Sequence, residues 1–285
     1  MTTRTLAATT ILVSGGSRGI GLAIALRAAR DGANIVLLAK TATPHPKLEG
    51  TIYTAAEQVE AVGGRAVPVV GDLRADEDVE RAVSKAAAAF GGIDAVVNNA
   101  SAIDLSPTTK ITMKRYDLLQ DINVRGTFAL TRAALPYLEA AANPHILTLS
   151  PPLNLNPRWA GAHLAYTLSK YGMSLCTLGF ADEFADKGIA ANSLWPRTTI
   201  GTAAIRNLLG GEVAVRKART PDIMADAAHA ILTRDSRSCT GNFYTDEDVL
   251  REEGLTDFAG YRLAAREEDL DLDFFLPDAP LPARA

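Results

Sequence analysis

The chain has 285 residues, 47% of them hydrophobic, a formal net charge of -4 and two cysteines. That length and apolar content suit one large α/β unit with a tail and exclude a minimal domain held by disulfides or metal. The charge gives no basic field for nucleic acid, Cys176 and Cys239 have no metal-like spacing, and no stretch approaches the ~20 apolar residues of a membrane span. A cytoplasmic protein without a metal site is the expectation.

Short apolar runs alternate with helical patterns. Residues 9–15, TTILVSG, form a strand by their length and β-branched content. Residues 19–31 carry helical spacings and stop at Gly32; residues 34–40 are a second strand. A Pro-containing insertion, 41–53, leads to a helix over 54–62 and a third strand over 65–72. A helix over 76–90 is closed by Gly91 and Gly92, and IDAVVNNA (93–100) is the fourth strand. A long helix spans about 113–142, HILTLS (145–150) is the fifth strand, 164–186 a helix, and IAANSLWP (189–196) the sixth strand. A helix over 221–233 and a short strand over 241–246 finish the pattern.

This alternation predicts right-handed βαβ crossovers and an α/β fold. Its mainly parallel sheet has about seven strands and helices on both faces, with ligands bound at the carboxyl ends of the strands. Residues 1–265 are read as one nucleotide-binding domain and 266–285 as an acidic, then Pro-rich tail. The tail is either disordered or docks Phe274, Phe275 and Leu276 on a neighbouring subunit. Docking is preferred because adjacent aromatics are costly to leave in water.

The segment SGGSRGIG, Ser14 to Gly21, lies between the first strand and the first helix. Glycines there let the backbone turn tightly beside a pyrophosphate at a helix N-terminus, although a plain strand–helix turn has the same look. The second strand ends in Lys40 where an NAD site usually offers a carboxylate to the ribose. Lys40 and Arg18 are therefore expected to meet a 2′-phosphate, which favours NADP(H), unless Lys40 is an ordinary solvated strand end. Asp72 is placed to accept from an adenine amino group, or to cap the next helix. Tyr166 and Lys170, four apart, share one helix face, where an ammonium would lower the phenol's pKa for acid–base work.

With these segments in view the chain resembles the short-chain dehydrogenase/reductase family over essentially residues 1–250. SGGSRGIG, VVNNA, DINVRGTF and YTLSK carry the resemblance. It implies a doubly wound Rossmann-type sheet and a cofactor site of Ser14, Gly15, Ser17, Arg18, Gly19, Ile20, Gly21, Lys40, Asp72, Leu73, Asn99, Ala100, Tyr166, Lys170, Pro196 and Ile200. It implies that Tyr166 exchanges the proton, that Lys170 tunes it and bonds the nicotinamide ribose, and that Asn123 holds a relay water. It also implies a homodimer or homotetramer.

Two departures stand out. The serine that polarises a carbonyl should fall at Leu153, counting back from the tyrosine, or at Pro151, counting along the strand. Neither has a donor, so Ser150 is expected to take over as a catalytic hydroxyl. Pro196 is followed by Arg197 instead of glycine, and the basic residues between Arg197 and Arg219 are either a solvated face or a grip on acyl-CoA phosphates. Trp159 and Trp195, expected to flank the cleft, suggest an apolar substrate, though simple packing would also use them. The expected activity is NADP(H)-dependent hydride transfer on a carbonyl or secondary alcohol of a small lipid-, steroid- or terpenoid-like substrate. The alternatives are reduction of an enoyl thioester and nucleotide binding with little or no turnover.

Overall fold

The computed structural model describes residues 4–45, 48–208 and 210–281. Strand β1 (Thr10–Ser14) enters helix α1 (Gly19–Ala29), followed by β2 (Asn34–Ala39), α2 (Ile52–Ala61), β3 (Arg65–Val70), α3 (Asp76–Phe90) and β4 (Ala95–Asn98). The second half runs α4 (Met113–Leu119), α5 (Gly126–Leu138), β5 (His145–Thr148), α6 (Pro157–Ala162), α7 (Leu164–Glu183) and β6 (Ala190–Trp195). Then come α8 (Ala203–Leu208), α9 (Gly211–Val215), α10 (Asp222–Leu232), β7 (Phe243–Thr245) and α11 (Asp246–Glu252).

The seven strands form one parallel sheet in the order β3-β2-β1-β4-β5-β6-β7. Every residue of β1, β4, β5 and β6 is buried, as strands covered on both faces require. One core layer joins α1, α2, α10 and α11 to the sheet, and the other joins α3, α5 and α7. The chain leaves β3 at one edge and re-enters as β4 on the far side of β1. The winding therefore reverses at β1, and a crevice opens beyond the carboxyl ends there. Register sets Ser14 level with Leu38 of β2 and Asn98 of β4, so three strands end together beneath it.

Two boundaries differ from the sequence expectation. Helix α2 begins before Thr54, because the Thr51 hydroxyl caps the Thr54 amide at 3.2 Å while the Thr54 hydroxyl accepts from the Thr51 amide at 2.8 Å. The helix expected to run to 142 ends at Leu138, and between α4 and α5 it loosens into a π-helical turn, Gln120–Arg125. Such turns gather at functional sites, and this one carries the buried Asn123.

The tail is neither disordered nor separate over its described part. Residues 270–279 form a strap on their own chain. The Asp271 amide donates to Lys217 O at 3.0 Å, the Asp273 amide to Arg197 O at 3.0 Å, and Asp271 O accepts from Thr199 at 2.9 Å. Phe275 and Leu276, 0% and 1% exposed, sit in a cluster with Trp159, Tyr166 and Trp195. The boundary expected at 265 is thus not a structural one. The aromatics find their apolar partners within the chain. Residues 282–285 lie outside the described part.

Candidate active site

A cleft of about 620 Å³ opens at the carboxyl ends of the strands, over the switch point. Its floor is the glycine turn. Gly15 and Gly19 have φ of +70° and +57°, a conformation that favours glycine. A side chain at Gly21 would come within 2.4 Å of Asn99 Nδ2 and 2.7 Å of Gly15 O, so only glycine lets α1 start against the turn. No side chain caps the first amides of α1, which leaves them for an anion.

Most of the expected cofactor residues line this cleft: Gly15, Ser17, Arg18, Gly19, Ile20, Lys40, Asp72, Leu73, Asn99, Ala100, Tyr166, Lys170, Pro196 and Ile200. Ser14 and Gly21 stand behind them. The Ser14 hydroxyl accepts from the amides of Asn99 and Ala100 at 3.1 Å each and donates to Val97 O at 3.3 Å. The Asn99 amide group donates to Ser14 O and Gly15 O at 3.0 and 3.1 Å. Ser14 therefore fixes the turn against the end of β4 and has no free valence for a phosphate.

At the end of β2, Lys40 Nζ lies 3.0 Å from Asp72, and Arg74 lies 2.6 Å from the same carboxylate. The Arg74 hydrogen bond, helped by Lys40 and opposed by burial, holds the Asp72 carboxyl well below the usual range. The acid expected to face adenine is thus already engaged by two cations. Arg18 donates to Glu49 O at 3.0 Å and Gly50 O at 2.9 Å, and so ties the insertion down onto the glycine turn.

Tyr166 and Lys170 both reach the cleft from α7. Lys170 Nζ donates to Leu149 O at 2.6 Å and stands 5.0 Å over the Trp195 ring. Burial pulls its ammonium down to about 7, with the carboxyl of Asp273 holding it up in part. Burial, with a smaller push from Asp273, raises the Tyr166 phenol far above its ordinary value. The lowering by Lys170 expected from the spacing does not govern the phenol here, because the ammonium is drawn to Leu149.

Asn123 and Ser150 do not line the cleft. Asn123, fully buried, donates to Ser169 Oγ at 2.9 Å and Ala102 O at 3.1 Å and accepts from the Ala102 amide at 2.7 Å. It clamps α7 to the loop after β4. The Ser150 hydroxyl lies 2.7 Å from Ser193 Oγ, which donates to Thr177 at 3.0 Å. Ser150 is fully buried, and the expectation that it serves the cleft as a catalytic hydroxyl is corrected. The prolines steer the chain so that Pro151 O takes a bond from Ser174 at 2.6 Å, and the serine before them turns into the core.

Four of the five basic residues after β6 have carboxylate partners. Arg197 pairs with Asp278 and with Glu247 at 3.8 Å, Arg206 with Glu212, Lys217 with Asp271 at 3.4 Å, and the fully buried Arg219 with Glu247 at 2.8 Å and with Glu267. Neither a solvated face nor a phosphate grip describes Arg219. Trp195 borders the cleft, while Trp159 packs behind it on Phe275 at 5.4 Å between ring centres. Sequence reasoning missed Asp273 and Phe274, which line the cleft from the strap. Their signal was an acid set directly against two phenylalanines, an arrangement a solvated tail has no reason to hold. Among the described residues there is no cluster that would hold a metal, and no helix is long and apolar enough to cross a membrane.

A parallel doubly wound sheet with a glycine turn at its switch point and a Tyr166–Lys170 pair over the strand ends defines a nicotinamide-dependent oxidoreductase class, and the chain belongs to the short chain dehydrogenase family, whose family model matches residues 9–209. It is 53% identical over 275 residues to hydroxysteroid dehydrogenase-like protein 2 of Xenopus laevis and 52% identical to that of Homo sapiens. Those matches cover 96% of this chain but 65% of each relative's length. A crystal structure of a short chain dehydrogenase from Mycobacterium thermoresistibile superposes with a TM-score of 0.91 at 51% identity, covering 98% of both chains.

Proposed function

We propose that the protein is an NADP(H)-dependent oxidoreductase acting on a carbonyl or secondary alcohol of an apolar molecule. One observation carries this reading. The uncapped start of α1, the cations Lys40 and Arg18, and the Tyr166–Lys170 pair all border a single cleft, which gathers partners for a dinucleotide's pyrophosphate, its 2′-phosphate and its nicotinamide end. The residues fit such a group, since the glycine turn leaves the first helical amides open. When bound, the nicotinamide supplies or accepts the hydride.

The rest of the chemistry belongs to the chain. Burial keeps Tyr166 protonated, so it is set to give its proton to the oxygen of a reduced carbonyl. Lys170 stands one helical turn away, its ammonium pulled down to about 7 by burial. Ile103, Ile122, Met224 and Phe274 make the walls apolar, which favours a lipid-, steroid- or terpenoid-like body. A homodimer or homotetramer is supported by Phe128 of α5 with Leu168, Leu175 and Leu178 of α7, all roughly half exposed.

The test is NADPH oxidation against a panel of apolar ketones and aldehydes, with cofactor titrations alongside. Tyr166→Phe should lower turnover by at least ~10²-fold while NADPH affinity holds. Lys40→Asp should move the preference from NADPH to NADH, because it replaces a phosphate partner with a repelling charge. Turnover unchanged in Tyr166→Phe, or equal affinity of the unaltered protein for the two cofactors, would refute the respective part.

A further inference from the structure

Neither position at which the family resemblance implies a second donor hydroxyl carries one. Leu153 and Pro151 have none, and Ser150 is turned into the core against Ser193. A polar side chain does reach the cleft from elsewhere. Asp273 borders it together with Tyr166 and Lys170. We propose that Asp273, carried in by the C-terminal strap, is the second catalytic residue of this site and hydrogen-bonds the substrate oxygen opposite Tyr166. This rests on the oxidoreductase reading for the nature of the substrate, not for the position of the carboxyl.

The strap is built to hold that position. Backbone bonds fix Asp273 to Arg197 O at 3.0 Å and Asp271 to Lys217 O at 3.0 Å. Two residues on, Phe275 is anchored among Trp159, Tyr171, His163 and Trp195, at ring separations of 5.4, 5.2, 6.0 and 6.1 Å. Its φ of +69° is strained for an aromatic residue, and the packing on all sides holds it there. The Asn154 side chain, from the loop after β5 that holds Pro151 and Leu153, donates to Phe275 O at 2.9 Å. This loop and the strap are thus joined directly.

The groups around Asp273 leave an oxygen for the cleft. Its Oδ1 accepts from the Phe274 amide at 2.7 Å. Among the described residues Oδ2 makes no hydrogen bond. Lys170 spends its shortest bond on Leu149 O, and Arg197 turns its guanidinium to Asp278 and Glu247. His163 packs tilted against Phe274 and edge-on to Phe275, its charged form disfavoured by burial. Burial pushes the Asp273 carboxyl up to about 7, against the pull of Lys170. Below that value it carries a proton to donate. The hydrogen bond transfers no net proton. Tyr166 gives up its proton as the hydride arrives, and Asp273 keeps its own.

The test uses NADP+ and N,N-dimethyldecanamide, an unreactive carbonyl with no N–H, at about pH 6, where a carboxyl with pKa near 7 is mostly protonated. Asp273→Ala should weaken amide binding at least ~10-fold and lower turnover of decanal by ~10²-fold or more, with NADPH affinity unchanged. Asp273→Asn keeps an N–H donor and should stay within roughly fivefold of the unaltered protein in both. Equal amide affinity in the alanine variant, or no amide binding by the unaltered protein, overturns the assignment. So does loss of NADPH affinity in step with the amide, which would mark Asp273 as merely structural. If the unaltered protein reduces no carbonyl yet binds the amide in an Asp273-dependent way, the hydrogen bond from Asp273 to a carbonyl oxygen stands, and its catalytic role falls with the reductase reading.

Discussion

Removing the Phe275 ring tests whether the strap is a separable wall of the active site. The side chain is 0% exposed and has six aromatic neighbours, so Phe275→Ala in a fixed core would cost about 3–5 kcal/mol. The strap is held otherwise by a few backbone bonds, by the side chains of Asn154 and Trp195 donating to its carbonyls, by the Arg197–Asp278 and Lys217–Asp271 pairs and by Leu276 and Ala279, and its apolar residues lie outside the two core layers of the sheet, so it can lift without unfolding the sheet. Most of the loss should then appear as local opening, about 2–4 kcal/mol, or roughly 30- to 1000-fold in the opening constant. Hydrogen exchange read by mass spectrometry should show the amides of Asp271 and Asp273 losing protection by that factor, while those of β2 and β4 keep theirs. Turnover should fall with them, because Asp273 leaves the cleft, and NADPH affinity should change far less. Unchanged protection in the strap, or an equal loss across the central sheet, would refute the reasoning.

Ser150→Ala should cost only about 1 kcal/mol of stability, since Ser193 still donates to Thr177, and should leave kcat within roughly threefold. A fall of ~10²-fold would return Ser150 to the catalytic machinery. Asp31 gives a pH dependence of stability. Burial opposes its charge, but the Leu6 amide at 2.8 Å, His229 at 2.8 Å and Arg27 at 3.1 Å lower its carboxyl to about 2. A depressed carboxyl stabilises the fold above its unfolded pKa of ~3.9, and that contribution, about 1–2 kcal/mol after solvent screening, is lost as pH falls through the folded value. Asp31→Asn should therefore lower the Tm at neutral pH and flatten the acid limb between about pH 4 and pH 2; an unaltered limb in thermal melts would contradict this.

The strands and the glycine turn were legible because their signals are local. β-branched runs bounded by turns announce a buried parallel sheet, and a glycine turn placed after the first of them marks the switch point. Tyr166 and Lys170 were legible because four residues on a helix make one face. What stayed hidden depends on contacts distant in sequence. Ser150 looked available because it is the nearest hydroxyl, but Ser193 lies 43 residues on and takes it into the core. Lys40 looked free, and its pairing with Asp72 appears only when β2 and β3 lie side by side. The strap was the largest omission. Its acidic, Pro-rich composition reads as a tail, and only the fold reveals that Trp159, Tyr171 and Trp195 form a socket for Phe275. That Asp273 and Lys170 share a cleft is likewise invisible along the chain, where they stand 103 residues apart.

The most direct measurement of the central claim follows the hydride itself. NADPH deuterated at the transferable C4 position is mixed with an apolar ketone and the unaltered protein, and the product is read by mass spectrometry. Deuterium should appear on the carbinol carbon of the alcohol, and Tyr166→Phe should form that product at least ~10²-fold more slowly. An alcohol without deuterium, no product from any ketone in the panel, or label carried only to the β-carbon of an enoyl thioester would contradict carbonyl reduction at the Tyr166–Lys170 cleft.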